Sequence, residues 1–243
     1  MKKMLSLLLA AVLLAGSLPA ALAADSVSES VVEQVIRSTG IMVGDTSGNM
    51  HLDQSVTRAE YAKMLGAASS YKDKVAGTSN VSPFKDVPYT HWAAGYVKTA
   101  VQQGWLTGYL DGSYKPDQTV TLYEAATGCL KLLGYTTEDF CGCYPYAQLA
   151  LYQSLGLDTG VTASQGTTMT RRNMMYLFYN LLNADTKGGQ VYAQTLGYTL
   201  NSDGEIDYLS MVSDTMEGPF VVEGSLTDIV SDANKTVYRN GYA

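Results

Sequence analysis

The sequence is poor in charge, and most of its charge is negative. Charged residues make up 16% of the 243 residues, with 16 Lys and Arg against 23 Asp and Glu. Proteins that bind nucleic acid or an anionic membrane usually carry a basic surface. The composition therefore argues against both classes, and an anionic partner would have to be held by local basic sites.

Histidine and cysteine are also scarce. The two histidines, His51 and His91, have no second ligand at zinc-site spacing, and no nucleophile-elbow sequence occurs. Three cysteines are a poor disulfide framework, so we interpret Cys129, Cys141 and Cys143 as structural or unpaired. The sequence thus indicates no enzyme, no cofactor and no metal site. A glycosidase-type pair of carboxylates stays open, because such pairs converge only in the fold.

Long apolar runs are missing except at the start of the chain. Lys2 and Lys3 precede an apolar run at 5–15, and the small-x-small sequence at 21–23 is typical of a cleavage site. The run is too short to span a bilayer. We therefore predict that residues 1–23 are the signal peptide of an exported protein, with no membrane span after cleavage.

A glycine-bounded pattern occurs three times, at 40–44, 104–108 and 156–160. Apolar residues at helical spacing precede each copy, and a turn-rich loop and a second apolar stripe follow it. A one-sided stripe needs a neighbour to cover it, so the pattern predicts stacked helix–loop–helix repeats. The predicted repeats are 24–70, 81–135 and 136–184.

These segments resemble the S-layer homology family. Phe-Lys-Asp-Val at 84–87 with His-Trp-Ala at 91–93 resembles its opening signature, 104–117 its middle, and Val-Thr-Arg-Ala-Glu-Tyr-Ala at 56–62 its second-helix start. The resemblance covers roughly residues 27–184. It implies a mainly α fold of three repeats packed with pseudo-threefold symmetry. It also implies that grooves between repeats bind anionic secondary cell-wall polysaccharide, often pyruvylated. The residue that meets the negative charge is the Arg of the second-helix start, which we call the hallmark motif.

The chain departs from the family pattern in each repeat. Repeat one has Ser28 where the opening signature has Trp, and repeat two has Leu122 in place of the hallmark Arg. Repeat three keeps Arg171 but has Asn173 for the Glu and Tyr144 for the Trp. We therefore expect that not all three grooves bind ligand.

The hallmark motif has a structural part. Thr57 with Glu60, and Thr121 with Glu124, have the spacing of capping boxes, in which each side chain bonds the other residue's backbone at a helix start. We interpret these four residues as structural, together with the loop glycines Gly40, Gly44, Gly104 and Gly108.

The arginines of the motif favour a ligand. Arg58, Arg171 and Arg172 follow a helix cap, where the positive end of the helix dipole disfavours a cation by roughly 0.3–1 kcal/mol. An anionic ligand would explain them, since a guanidinium forms a planar fork that fits carboxylate. The alternative is an exposed Arg paired with a local carboxylate. With the family resemblance, we predict that all three bind polysaccharide.

Aromatic residues of repeat two are further candidates. Trp92 would stack on a sugar face or fill the core, and we slightly prefer the core. Trp105, Tyr109 and Tyr114 surround the loop of the repeat and would line a groove or the core. For Asp86 we prefer a structural role to ligand binding.

The tail, 185–243, has a different pattern. Short β-prone runs at 191–192, 198–200, 220–223 and 236–238 are separated by turn residues, so we predict a β-rich segment. A hairpin signal, Asn-Gly at 240–241, comes just before the last two residues. We expect this tail to be the truncated start of a further domain.

These observations predict a non-catalytic anchor, secreted to the cell wall or S-layer of a Gram-positive-type bacterium. Its expected partner is a secondary cell-wall polysaccharide or another polymer linked to peptidoglycan, and its oligomeric state is open. Two alternatives remain. One is the anchor part of a polysaccharide hydrolase whose catalytic part is missing, and the other is a self-assembling S-layer subunit.

Overall fold

The computed structural model describes residues 27–140, 142–202, 204 and 206–207, and the predicted mainly α fold is confirmed there. β-pairing within these residues is limited to isolated bridges. None of the described helices is both long and apolar enough to cross a bilayer. The helices are α1 (Glu29–Ser38), α2 (Arg58–Ala67), α3 (Ala94–Gln102), α4 (Leu122–Leu132), α5 (Tyr146–Ser154), α6 (Arg171–Asn183) and α7 (Tyr192–Thr195), with a 3₁₀ turn at Thr137–Asp139.

The six longer helices pack as three helix pairs around one core. α2 packs on α3 and α4 packs on α5, and the members of each pair follow one another in the chain. α1 instead packs on α6, which comes last of the six, and buries Val32, Val35 and Ile36. The first helix therefore closes the arrangement by covering the apolar stripe of the sixth.

A closed ring of backbone hydrogen bonds joins the starts of α2, α4 and α6. Val56 N–H donates to Met169 O at 2.9 Å, Met169 N–H donates to Val120 O at 2.8 Å, and Val120 N–H donates to Val56 O at 2.9 Å. All three side chains are buried. Because buried backbone groups need partners, this ring fixes the three helix starts against one another.

A threonine caps each of these helices. Thr57 with Glu60 and Thr121 with Glu124 form complete capping boxes. The hydroxyl of Thr170 accepts from the N–H of Asn173 at 3.2 Å, but no box forms there. The Asn173 side-chain oxygen instead accepts from Thr162, at 2.9 Å from its N–H.

Glycines change the chain direction after α1, α3 and α5. Gly40, Gly104 and Gly156 follow the ends of α1, α3 and α5, with φ of 70°, 72° and 68°. A residue in this left-handed region ends a helix, and glycine enters it without a steric cost. Each of these glycines is the first residue of a loop.

Asp86 stabilises the loop that follows α3. One of its carboxylate oxygens accepts from the N–H of Tyr114 at 2.8 Å and the other from the N–H of Lys115 at 2.7 Å. Burial alone would raise the pKa of Asp86, but these two backbone hydrogen bonds outweigh it and hold the pKa below its ordinary value. The structural role preferred for Asp86 agrees with this geometry.

The lowered pKa of Asp86 predicts a pH-dependent contribution to stability. A carboxyl whose pKa is lower in the folded state stabilises the fold above its unfolded pKa of about 3.9, and this contribution is lost as the pH falls through the folded value. We expect Asp86→Asn to lower the urea midpoint near pH 6, with the gap to the parent narrowing towards about pH 2. Asp73→Asn, at an exposed carboxylate, is the control. A gap that is constant from pH 6 to pH 2 would contradict this account.

The start of the tail differs from its prediction. The strand predicted at 191–192 is wrong, because Tyr192 begins α7 and only Val191 forms a bridge, with Asp185. Tyr192 is buried, and its hydroxyl donates to Ala68 O at 2.7 Å, so tertiary packing overrides its β-propensity. Within the run at 198–200, Leu200 forms one isolated bridge, with Ile206. The predictions for 1–23, 220–223, 236–238 and 240–241 lie outside the described residues.

Candidate ligand-binding grooves

Two surface grooves of similar construction lie along α2 and α4. Each is lined by a glycine-initiated loop, by the helix that follows it, by an aromatic residue and by an arginine from the start of a different helix. Groove 1 has a volume of about 250 Å³ and is lined by Gly40, Ile41, Met42, Val43, Glu60, Lys63, Met64, Trp92 and Arg171. Groove 2 has a volume of about 320 Å³ and is lined by residues 104–109, Arg58, Glu124, Thr127, Lys131 and Tyr144.

Arg58 of groove 2 is buried and fully engaged within the protein. It is 4% exposed. Its Nε donates to Tyr114 O at 2.8 Å, its Nη2 donates to Thr107 O at 2.7 Å, and its Nη1 forms an ion pair with the Glu124 carboxylate. Its guanidinium carbon also lies 4.6 Å from the ring centre of Tyr114 and 5.1 Å from that of Tyr109. Glu124 therefore neutralises the Arg58 charge inside the fold.

Arg171 of groove 1 makes the same two backbone contacts without the ion pair. Its Nε donates to Met50 O at 2.6 Å and its Nη2 donates to Val43 O at 2.9 Å. Among the described residues, no carboxylate lies within ion-pair distance of Arg171 or of Lys63. Groove 1 thus presents positive charge that the fold does not neutralise.

Arg172 lies outside both grooves. Its guanidinium forms an ion pair with Glu29 of α1 and lies 3.5 Å from a carboxylate oxygen of Asp53. The ion pair with Glu29 connects α6 to α1. Arg172 therefore matches the alternative in which the Arg is paired with local carboxylates.

Trp92 lies at the rim of groove 1. It is 50% exposed, and its ring stacks on His91 with 5.8 Å between ring centres. The core position that we preferred for it is wrong. α3 begins only at Ala94, so Trp92 belongs to the turn before the helix and not to its buried stripe. The exposed indole is available to a ligand in groove 1.

The other aromatic candidates, Trp105, Tyr109 and Tyr114, offer a ligand less exposed ring surface than Trp92 does. Trp105 is only 8% exposed and packs edge-on against Tyr71. Tyr109 holds Lys115 above its ring, with 4.0 Å from Nζ to the ring centre. Tyr114 is fully buried and belongs to the core. Of these residues, Trp105 and Tyr109 line groove 2.

The loop at 156–160 is stabilised without a cation. The Asn180 side-chain amide donates to Leu157 O at 3.0 Å and to Thr159 O at 2.8 Å. Thr159 is the third residue after its glycine, as Val43 and Thr107 are in the other loops. The carbonyl that an arginine binds in grooves 1 and 2 is therefore bound here by a neutral amide.

Leu122 replaces the hallmark arginine, and the nearby surface differs accordingly. Leu122 is buried and lines a cavity of about 400 Å³ together with Asp158. None of the described residues that line this cavity is basic. The substitution at Leu122 thus removes the positive charge from this face.

Sequence reasoning missed Lys63 and Asn180. Lys63 follows the capping Glu60 by one helical turn, and this spacing could have placed it beside the groove. No sequence pattern could have identified Asn180, because its partners are backbone carbonyls of a loop more than 20 residues away in the chain.

The described residues contain no cluster of His, Cys, Asp and Glu able to hold a metal ion. Cys129 is buried, and burial raises the pKa of its thiol to about 12, whereas Cys143 is exposed. Cys141 lies outside the described residues.

Most of the groove 2 lining lies in a segment that matches a known family. The family model of the S-layer homology domain matches residues 83–126, which include the loop and capping box of groove 2. Cell surface glycoprotein 1 of Acetivibrio thermocellus is 43% identical over 94 residues, which are 37% of this chain and 4% of that protein. The cellulosome-anchoring protein of the same organism is 36% identical over 94 residues, covering 37% of this chain and 20% of that protein.

A longer match is to the middle cell wall protein of Brevibacillus brevis, with 29% identity over 152 residues, 62% of this chain and 14% of that protein. The matched segments span a quarter or less of the length of these curated relatives. The family model therefore identifies an S-layer homology domain at residues 83–126 of the chain.

Proposed function

We propose that the chain is a non-catalytic anchor that binds anionic secondary cell-wall polysaccharide in groove 1. The observation that carries the proposal is the guanidinium of Arg171, which lines the groove and has no carboxylate partner among the described residues. The names of the relatives, among them a cellulosome-anchoring protein and a middle cell wall protein, support a role at the cell surface. Residues 1–23 would direct export.

The chemistry of groove 1 fits an acidic sugar. Arg171 and Lys63 supply positive charge, and the guanidinium fork suits a carboxylate. Trp92 supplies an exposed aromatic face on which the apolar side of a sugar ring can stack. One acid, Glu60, also lines the groove, but one of its oxygens is held by the N–H of Thr57 at 2.7 Å.

We also propose that the fold consists of three repeats with pseudo-threefold symmetry, at 24–70, 81–135 and 136–184. Three features support this arrangement: the closed backbone ring, the threonine cap at each of α2, α4 and α6, and the three positive-φ glycines. In this arrangement the tail, 185–243, follows the third repeat.

Removing Arg171 tests the anchoring function. We expect Arg171→Ala to weaken binding to intact cell-wall sacculi about tenfold or more, because a hydrogen bond to a charged group contributes about 1.5–3 kcal/mol. Co-sedimentation over a range of sacculus concentrations measures this. Sacculi stripped of their secondary polysaccharide should retain neither protein.

Arg172→Ala is the matched control. It removes the same charge from the next residue of α6, but Arg172 pairs with Glu29 and Asp53, so binding should stay close to that of the parent. Equal binding of Arg171→Ala and the parent, or equal binding to stripped and intact sacculi, would contradict the proposal.

Self-assembly is a second candidate, favoured by the name of one relative. The surface layer protein of Brevibacillus choshinensis is 28% identical over 126 residues, 52% of this chain and 11% of that protein. Ordered arrays formed by the chain without wall material would support this candidate. Nothing in the described residues favours the hydrolase alternative.

A further inference from the structure

We infer that Glu124 acts as a built-in anion that occupies groove 2, so that of grooves 1 and 2 only groove 1 takes an external anion. The inference rests on the proposed function for the nature of the ligand. It assigns to Glu124 a role in specificity that is separate from its role in capping α4.

The two grooves provide an internal comparison. Arg58 and Arg171 place Nε and Nη2 on backbone carbonyls at equivalent places, Tyr114 and Thr107 in groove 2, and Met50 and Val43 in groove 1. Nη1 differs, because that of Arg58 meets the Glu124 carboxylate and that of Arg171 meets no carboxylate of the described residues. The grooves therefore differ in the partner of the Nη1 donor.

The two carboxylate oxygens of Glu124 bind different partners. One accepts from the N–H of Thr121 at 3.0 Å, which completes the cap, and the other pairs with Arg58. In groove 1, Glu60 caps Thr57 in the same way without pairing with an arginine. Capping therefore does not require the ion pair, and glutamine at this helix position also forms a capping box.

Aromatic residues also distinguish Arg58 from Arg171. Tyr109 and Tyr114 lie against its guanidinium in groove 2. Counted from the loop glycine, the same two positions of groove 1 are Asp45 and Met50, which offer no ring. Arg171 is therefore not sandwiched, and it remains partly exposed.

Removing the charge of Glu124 should create an anion site. Arg58, Lys131 and Glu124 are the charged residues among those that line groove 2. Glu124→Gln would leave two cations and no acid in this lining, while the cap of α4 is retained. The variant is thus expected to gain a binding site, which a merely disruptive substitution would not do.

The two tryptophans report on the two grooves separately. The chain has two Trp residues, Trp92 in groove 1 and Trp105 in groove 2. The probe is sodium glucuronate, with sodium chloride at equal ionic strength as the reference. In a Trp92→Phe background, we expect no saturable change in Trp105 fluorescence when Glu124 is present. With Glu124→Gln, we expect a saturable change, at glucuronate concentrations at least tenfold below those that leave Trp105 fluorescence unchanged in the protein with Glu124.

The controls keep the inference separate from folding and from the proposed function. Combining Arg58→Gln with Glu124→Gln should abolish the new response, and its persistence would overturn the inference. A saturable Trp105 response in the Trp92→Phe protein that retains Glu124 would also overturn the inference. This test needs no substitution in groove 2. If Glu124→Gln lowers the melting temperature, glucuronate should raise it more than it does in the parent, and an equal rise would count against the inference. The Trp92 response of the parent tests groove 1 independently.

Discussion

Replacing Arg58 by alanine is expected to lower the free energy of unfolding by about 3–5 kcal/mol, since breaking a buried ion pair leaves the remaining charge uncompensated. The substitution strands the Glu124 carboxylate and removes the donors that hold Thr107 O and Tyr114 O. It also leaves a void beside the buried ring of Tyr114. Urea denaturation followed by circular dichroism would measure the loss.

Arg171→Ala is the comparison for this prediction. Arg171 also binds two backbone carbonyls, but it is less buried and has no carboxylate partner among the described residues. We expect it to cost about 1 kcal/mol, the net contribution of hydrogen bonds that water can partly replace. Similar losses for the two variants would mean that Arg58 is not the structural residue described above.

Gly95→Ala is expected to cost about 3 kcal/mol, because an added methyl group has no room in this packed position. A Cβ on Gly95 would lie 2.0 Å from Ala76 O and 2.5 Å from Thr78 O. Both are backbone atoms of the segment before α3, and Gly95 N–H also donates to Gly77 O at 2.8 Å. That segment would have to move away as a whole.

Gly66→Ala should change the stability in the opposite direction. Gly66 also lies in a helix and is buried, but a Cβ there would meet only Tyr96, at an ordinary contact distance of 3.6 Å. Alanine favours a helix over glycine by about 0.5–1 kcal/mol, so we expect a small gain. Thermal melting of both variants compares the signs directly, and destabilisation by Gly66→Ala as large as that by Gly95→Ala would refute the argument from space.

The parts of the fold that depend on neighbours in sequence were predictable. The spacing of Thr57 and Glu60 indicates a cap, and the structure contains it. Gly40 and Gly104 indicate helix ends, and both have positive φ directly after a helix. These features are local, because a few adjacent residues determine the hydrogen bonds involved.

The features of the site that depend on distant residues were not predictable. The helix-dipole argument treats Arg58 and Arg171 alike, yet only Arg58 meets a carboxylate, from a glutamate 66 positions away. Arg172 differs from its neighbour Arg171 because α1 places Glu29 beside it. Periodicity could not show that Trp92 precedes the buried stripe of α3, since the stripe pattern continues through it.

Because α1 packs on α6, the fold contains contacts between residues that are far apart in the chain. α1 cannot complete its core until residues 171–183 have been synthesised and, in an exported protein, translocated. Groove 1 has the same requirement, because its arginine is the first residue of α6. If groove 1 binds the cell wall as proposed, an incomplete polypeptide that lacks α6 has no complete binding groove.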